Sequence, residues 1–297
     1  MEKTRIFIST NRRPTTPCDN VGEKISFTTH LQIIYNTYNT YLGWIHLTIT
    51  TLASGSSGNS ILVSHGGTHL LVDCGISCLR IKKALAALGL SPNHLSGILI
   101  THEHSDHICG LETLFKQFHL PVYCSAGTGR QLAYRIAFLE EVLRPFTPGE
   151  PFTLGELTVG PFATPHDAAE SVGYTFTDGA RKAAIVTDLG FVTGVVEQAV
   201  AGSHLMVVES NHDPDMVRSG PYPYYLKQRI LGQHGHLSNA DCAALCQRVG
   251  ANTVILAHLS AENNSPALAL RTVRAALGEQ VTVAVAPRSE TGARWQV

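Results

Sequence analysis

From Trp44 onward, short apolar runs alternate with glycine-rich turns, and the period of those runs separates strands from helices. Ile45–Thr50 alternates apolar and polar positions, which predicts a half-buried strand. Ile61-Leu62-Val63, His69–Asp73 and Gly97–Thr101 are continuous apolar runs of the kind that form strands covered on both faces. Further strands are predicted over Val122–Cys124, Leu157–Val159, Gly173–Thr177, Ala183–Val186, Leu205–Val208 and Val254–Ala257. Helical spacing appears over Cys78–Leu88, where Leu79, Leu85 and Leu88 sort against Lys82 and Lys83 before Gly89 ends the run. Helices are also predicted over Arg130–Glu141, Asn239–Val249 and Pro266–Leu277, with another beginning near Ile108. Strands mixed with helices, and polar residues clustered just after strand ends, imply an α/β layered fold with its site along one sheet edge.

Residues 1–44 lack this grammar. Arg12-Arg13-Pro14-Thr15-Thr16-Pro17 is polar and turn-rich, and Thr28 to Tyr41 is dominated by Thr, Asn and Tyr. We expect a poorly ordered N-terminal extension over 1–44 and a folded domain over 45–297. At 297 residues, 44% hydrophobic and 15% charged, the chain has ample material for a core. A net charge of −1 supplies no global attraction to nucleic acid or membrane, so any such affinity has to be local. No apolar run approaches the roughly 18 residues of a spanning helix, and no membrane partner is expected. The seven cysteines are odd in number and scattered, which fits buried thiols in a reducing compartment better than a disulfide framework. Cys74/Cys78 and Cys242/Cys246 have the i, i+4 spacing that places two sulfurs on one helical face, where core packing is the expectation. Without the features of a signal peptide, a cytoplasmic location is expected. The sequence leaves the oligomeric state open.

Histidine is the outlier: of 15, all but His30 lie from His46 onward. His102-Glu103-His104-Ser105-Asp106-His107 places three imidazoles and a carboxylate within six residues, just after a predicted buried strand. These are the ligand types that first-row dications prefer. On a turn, His102 and His104 can face one ion while Asp106 and His107 face a second. Six residues cannot complete two coordination shells, so distant partners are required. His166, Asp188 and His258 each follow a strand-like segment and supply them, giving five histidines and two aspartates.

The pattern HxHxDH followed by isolated His, Asp and His resembles the metallo-β-lactamase fold family, from about Ile45 to the C-terminus. The resemblance implies a four-layer αβ/βα sandwich with two divalent metals at one edge, Zn or Mn being the expected ions. It implies that His102, His104 and His166 hold one metal, that Asp106, His107 and His258 hold the other, and that Asp188 bridges. Leu71-Val72-Asp73-Cys74-Gly75 matches the family's first motif, which implies that Asp73 supports the site from behind. Two dications about 3.5–4 Å apart generate hydroxide from a bridging water near neutral pH and polarise the group under attack. Asp106 or Asp188 could orient that hydroxide or accept its proton. Aspartate rather than cysteine at position 188 is similar to the glyoxalase, phosphodiesterase and nuclease branches.

Other motifs narrow the reaction. Ser54-Gly55-Ser56-Ser57-Gly58-Asn59 is a small-residue loop that could be a plain hairpin turn or a backbone nest for an anion, with Ser56 and Asn59 as contacts. Glu209-Ser210-Asn211-His212-Asp213 follows a strand, and His212 is a candidate contact. In Gly235-His236-Leu237-Ser238-Asn239, His236 and Ser238 are candidates, although Ser238 or Asn239 equally suits a helix N-cap. Asn264, beyond His258, could bind substrate oxygens or simply occupy an exposed loop. Tyr222, Tyr224 and Tyr225 beside Arg218, Lys227 and Arg229 could stack on bases or be half-buried in an amphipathic stretch. In combination these segments resemble the WalJ/YycJ-like branch, which implies a metal-dependent 5′→3′ exonuclease on DNA. The alternative is a small-molecule phosphodiesterase or a thioester or lactone hydrolase of the same fold.

Overall fold

Continuous apolar strands need cover on both faces, and here they find it in two stacked sheets between helical layers. The computed structural model describes residues 46–297; the expected extension over 1–44 lies outside the described residues. The strands are β1 (Thr48–Ala53), β2 (Ser60–His65), β3 (Thr68–Val72), β4 (Gly97–Leu99), β5 (Val122–Ser125), β6 (Leu143–Phe146), β7 (Phe152–Leu154), β8 (Leu157–Ala163), β9 (Val172–Thr177), β10 (Lys182–Val186), β11 (Leu205–Glu209), β12 (Thr253–Ala257), β13 (Thr282–Val285) and β14 (Arg294–Gln296). One sheet runs in the order β14-β1-β2-β3-β4-β5-β6 and the other in the order β13-β12-β11-β10-β9-β8-β7. Strands β3 to β6 are parallel, as are β10 to β13.

Between the sheets lie Ile49, Leu70, Val72, Leu99, Tyr174, Phe176, Ile185 and Val207, all buried. Removing each such side chain from water stabilises the fold by about 1.5–3 kcal/mol. The buried Tyr174 hydroxyl donates to the Ile100 carbonyl at 2.6 Å, satisfying a polar group at the sheet–sheet boundary. Helices α1 (Cys78–Ala87), α2 (Ser105–Ile108), α3 (Leu111–Phe118) and α4 (Ala126–Arg135) follow strands of the first sheet. They cover its outer face through Ile81, Leu85, Leu111, Leu114 and Leu132. Helices α5 (Gly194–Val200), α6 (Pro214–Ser219), α7 (Tyr224–Ile230), α8 (Asn239–Val249) and α9 (Pro266–Leu277) complete the chain. Of these, α5, α8 and α9 cover the second sheet through Val196, Val200, Leu245, Ala269 and Val273. The result is the expected four-layer αβ/βα sandwich.

Several details differ from expectation. The helix expected over Arg130–Glu141 starts earlier, because Ser125 accepts from the Thr128 N–H as its cap. It also stops earlier, because Ile136 turns extended and Phe138 takes φ 65°, leaving only a 3-10 turn at Leu139–Glu141. Near Ile108 one expected helix is two, α2 starting after His104, whose side chain makes no capping bond, and α3 entered through Gly110. Cys74 precedes α1 rather than sharing its face with Cys78, whereas Cys242 and Cys246 do lie buried together in α8. The edge strands β6, β7, β13 and β14 and the short helices α5, α6 and α7 carry too few apolar positions for a period to show.

Candidate metal centre

The chain brings its polar residues to one edge because β1, β3, β4, β10, β11 and β12 all end there. Within three residues of these strand ends come Ser54, Asp73, His102, Asp188, Glu209 at the last position of β11, and His258. Three of these residues leave their strands in the left-handed region: Asp73 at φ 62°, Asp188 at φ 57° and His258 at φ 54°. Such backbone costs about 1–2 kcal/mol per residue in L-amino acids, and Asp and His tolerate it better than branched residues. Each turn swings its side chain to the edge within two residues of the strand. The Ser54 hydroxyl, accepting from the His258 N–H at 2.8 Å, ties the ends of the two sheets together.

Three imidazole nitrogens converge on one side. His102 Nε2 lies 3.0 Å from His104 Nδ1, which lies 3.3 Å from His166 Nε2. On the other side His258 Nε2 lies 3.4 Å and His107 Nε2 3.6 Å from Asp106 Oδ2. Between them sits Asp188, with Oδ2 3.2 Å from His107 Nε2 and Oδ1 3.9 Å from His166 Nε2. In each of the groups His102/His104/His166, Asp106/His107/His258 and His102/His107/Asp188, the donor atoms lie within 4.8 Å of one another. Buried Asp188 Oδ2 makes no hydrogen bond, despite its closeness to His107. An orphaned carboxylate oxygen among imidazole lone pairs fits a divalent cation. All seven residues expected from the sequence are thus brought together.

A supporting layer holds them. Asp73 Oδ2 lies 2.7 Å from His107 Nδ1, so His107 presents Nε2 to the centre. Asp73 is itself fixed by the Thr101 N–H at 2.8 Å and the Thr101 hydroxyl at 2.9 Å. Glu209, fully buried, plays the equivalent part on the second sheet. Its Oε1 lies 2.8 Å from both His258 Nδ1 and His236 Nδ1, while Oε2 accepts from Leu237 N–H at 3.0 Å and Leu189 N–H at 3.1 Å. Glu209 and Thr101 were not singled out from the sequence as site residues. The signal for Glu209 was present, an acidic residue at the end of a buried strand opening the Glu209–Asp213 block.

The charges follow from this layout. Burial, reinforced by His107, holds His102 well below its usual range, and burial likewise lowers His166, so both keep free lone pairs. Burial also opposes charge on His107 and His258, but Asp188 and the other carboxylates prevail, raising His107 well above its usual range and His258 to about 10. Burial would likewise lower His236, but Glu209 raises it. Glu209 is drawn down to about 2 by His236 and His258 against its own burial.

The residues proposed from the sequence as substrate contacts divide. His236 stands between His166 and His258, its ring centre 5.2 Å from each. Asn59 Nδ2 is 3.1 Å from His107 Nε2 and its Oδ1 accepts from the Gly55 N–H, so it braces the centre. Ser56 is exposed on the loop before it. His212 is buried with Nδ1 lacking a partner. Ser238 caps α8, accepting from the Asp241 N–H, and Asn264 Nδ2 donates to the Ser210 and Asn211 carbonyls. Those last two are committed to holding loops, the alternative left open for Ser238. Tyr224 and Tyr225 are largely exposed on α7, and Arg229 of the same helix pairs with Asp167 at 2.6 Å, beside His166.

Residues 68–259 match the family described as the β-lactamase superfamily domain. Over 238 residues the chain is 39% identical to exodeoxyribonuclease YycJ of Bacillus anthracis, covering 79% of this chain and 90% of the relative. It is 38% identical over 229 residues to exodeoxyribonuclease WalJ of Streptococcus pneumoniae, covering 75% of this chain and 85% of the relative. Among solved structures it is similar to the metallo-β-lactamase fold protein YhfI of Bacillus subtilis, with a TM-score of 0.68 at 19% identity, covering 84% of this chain and 99% of that one.

Proposed function

The chain belongs to the β-lactamase superfamily, and from that premise we propose that it is a 5′→3′ exodeoxyribonuclease using two divalent metal ions, Zn or Mn, in the cytoplasm. The observation that carries this reading is the complete set of seven converging donors in a chain that is 39% and 38% identical, over 79% and 75% of its length, to two exodeoxyribonucleases.

His102, His104 and His166 would hold one ion, Asp106, His107 and His258 the other, with Asp188 shared. When bound, the ions supply an acidified water and neutralise charge developing on the phosphoryl oxygens. The chain's own part is positioning. Asp73 and Glu209 fix the tautomer and direction of His107 and His258 by holding their Nδ1 atoms. Asp106, partly exposed and turned to His107 and His258 through Oδ2, would orient or receive the proton of the attacking water through its other carboxylate oxygen. His236, held through Nδ1 by Glu209 and partly open to solvent, is placed to donate a proton from Nε2 to the departing oxygen. Tyr224 and Tyr225, exposed on α7 beside Arg229, offer stacking surfaces for unpaired bases.

The test is digestion of end-labelled duplex DNA by Mn- or Zn-loaded protein, with Asp106→Ala alongside. Progressive shortening from the 5′ end, lost in the variant, is expected. Metal-replete protein that leaves DNA intact while hydrolysing a small phosphodiester or thioester would overturn the nuclease reading.

A further inference from the structure

A second polar feature lies one loop away from the metal centre. The Ser54–Asn59 loop is clamped at close range: a Cβ on Gly58 would come within 2.3 Å of the Gly75 carbonyl oxygen, and one on Gly75 within 1.6 Å of the Asp106 carbonyl oxygen. The loop, the start of α1 and the Asp106 turn are therefore one rigid block, cross-tied by Asn59 N–H to Asp106 O at 2.8 Å and Gly75 N–H to Asn59 O at 2.8 Å. A cavity of about 240 Å³ opens against that block at Ile76 and Arg80, its other lining residues including Leu52, Lys83, Ser289 and Thr291.

Its cations lack carboxylate partners. Among the described residues the Arg80 guanidinium donates to the Ser289 carbonyl, at 3.1 Å, and the Lys83 ammonium has no hydrogen-bond or ion-pair partner. Arg288, exposed beside Gly55, donates to the Leu259 carbonyl at 3.3 Å. Glu290 is exposed and makes no ion pair with any of them. Exposed arginines and lysines commonly pair with nearby acids, as Arg218 does with Asp215 and Arg248 with Glu197 here. Two cations without a carboxylate partner line the cavity, and a third, Arg288, adjoins its Ser289 wall and reaches Gly55 of the loop on which Ser56 and Ser57 are exposed, a positive recess in a chain of net charge −1. Guanidinium and ammonium donors on the wall of one cavity, with Ser289 and Thr291 beside them, suit a phosphate group.

We propose that Arg80, Lys83 and Arg288 form a phosphate-binding subsite that holds the DNA strand one loop away from the metal centre. The inference rests on the nuclease reading. The phosphate is either the strand's 5′-terminal one or an internal backbone phosphate. The rigid glycine-packed block makes the spacing between subsite and metal centre a fixed length, so the subsite would set where on the strand cleavage falls.

The test is equilibrium binding, by fluorescence anisotropy, of a nuclease-resistant phosphorothioate single strand to wild type, Arg80→Gln/Lys83→Gln, Arg80→Glu/Lys83→Glu and Arg288→Gln, with Arg271→Glu on exposed α9 as control. The charge-reversed variant is expected to bind at least about tenfold more weakly, with the slope of log affinity against log salt reduced by roughly 0.7 per lost contact. Arg271→Glu is expected to match wild type. Weakening confined to 5′-phosphorylated strands identifies the terminal phosphate, and equal weakening on 5′-hydroxyl strands identifies an internal one. Affinity and salt slope unchanged in all pocket variants would overturn the subsite, even in a protein that digests DNA. Wild type that cleaves no DNA yet binds it through these residues would overturn the nuclease reading and leave the subsite standing.

Discussion

His102, His104 and His166 meet with only the shared Asp188 and the part-exposed Asp167, already paired with Arg229, as nearby carboxylates, whereas Asp106, His107 and His258 meet inside a ring of carboxylates formed by Asp73, Asp106, Asp188 and Glu209. In the first group burial keeps His102 and His166 neutral, and without a cation it carries little charge of its own. In the second, negative charge is buried in excess, and in the absence of metal it is balanced by protons on His107 and His258. Isolated buried charge is costly, so the carboxylate half requires a cation or protons in a way that the imidazole half does not. Two adjoining donor groups thus differ in what it costs to go without a cation. Metal binding in the carboxylate half must displace protons, whereas the imidazole half offers ready lone pairs.

The strongest way to break this contrast is to remove the residue both halves share. Asp188→Ala is expected to lower kcat on DNA by at least about 10³-fold, because it withdraws the bridging carboxylate from both ions. Metal content measured on the same sample should fall below two equivalents. Full activity in this variant would mean that the halves do not act together. Glu209→Gln sharpens the contrast instead. It leaves the imidazole triad intact but weakens the grip on His258 and His236, and a ten- to hundredfold loss of affinity, about 10–100, is expected for one ion only. Equal loss at both sites, followed by competition with a chromophoric chelator, would contradict it.

Gly75→Ala probes the scaffold rather than the ligands. Its Cβ would meet the Asp106 carbonyl oxygen at 1.6 Å, with backbone on both sides of the clash. A stability loss of about 3 kcal/mol in urea unfolding is expected, with the Asp106 half disturbed and the His166 side spared. The smallest effect separates acid sensitivity of the fold from that of the centre. His69 and His212 are each pushed down to about 4 by burial, from 6.5 in the unfolded chain. Because the unfolded chain binds protons first, their contribution is fully present above pH 6.5 and declines as pH falls toward 4. A Tm drop of a few degrees between pH 7 and 5 is expected, shallower in His69→Gln; an identical slope in that variant would assign the acid loss elsewhere.

Much of this was legible in the chain because the chemistry is local or follows strand ends. His102–His107 packs four donors into six residues, and His166, Asp188 and His258 each follow a strand-like segment. Helices Asn239–Val249 and Pro266–Leu277 match expectation residue for residue, since a capping serine precedes each and a glycine follows. What stayed hidden depends on pairing across distance. Glu209 gains its role from His236 and His258, 27 and 49 positions away. Arg80 and Ser289 meet across 209 positions. Edge strands such as β14 exist because β1 offers them an unpaired side, which no local period announces.

The most direct test of the paired centre is stepwise addition of Zn²⁺ to metal-free protein, with proton release into a weak buffer and activity on DNA followed together. Two equivalents should bind, one of them releasing more protons than the other, and activity should appear only as the second site fills. Saturation at one equivalent, or full activity with one ion bound, would contradict a dinuclear centre with unlike halves.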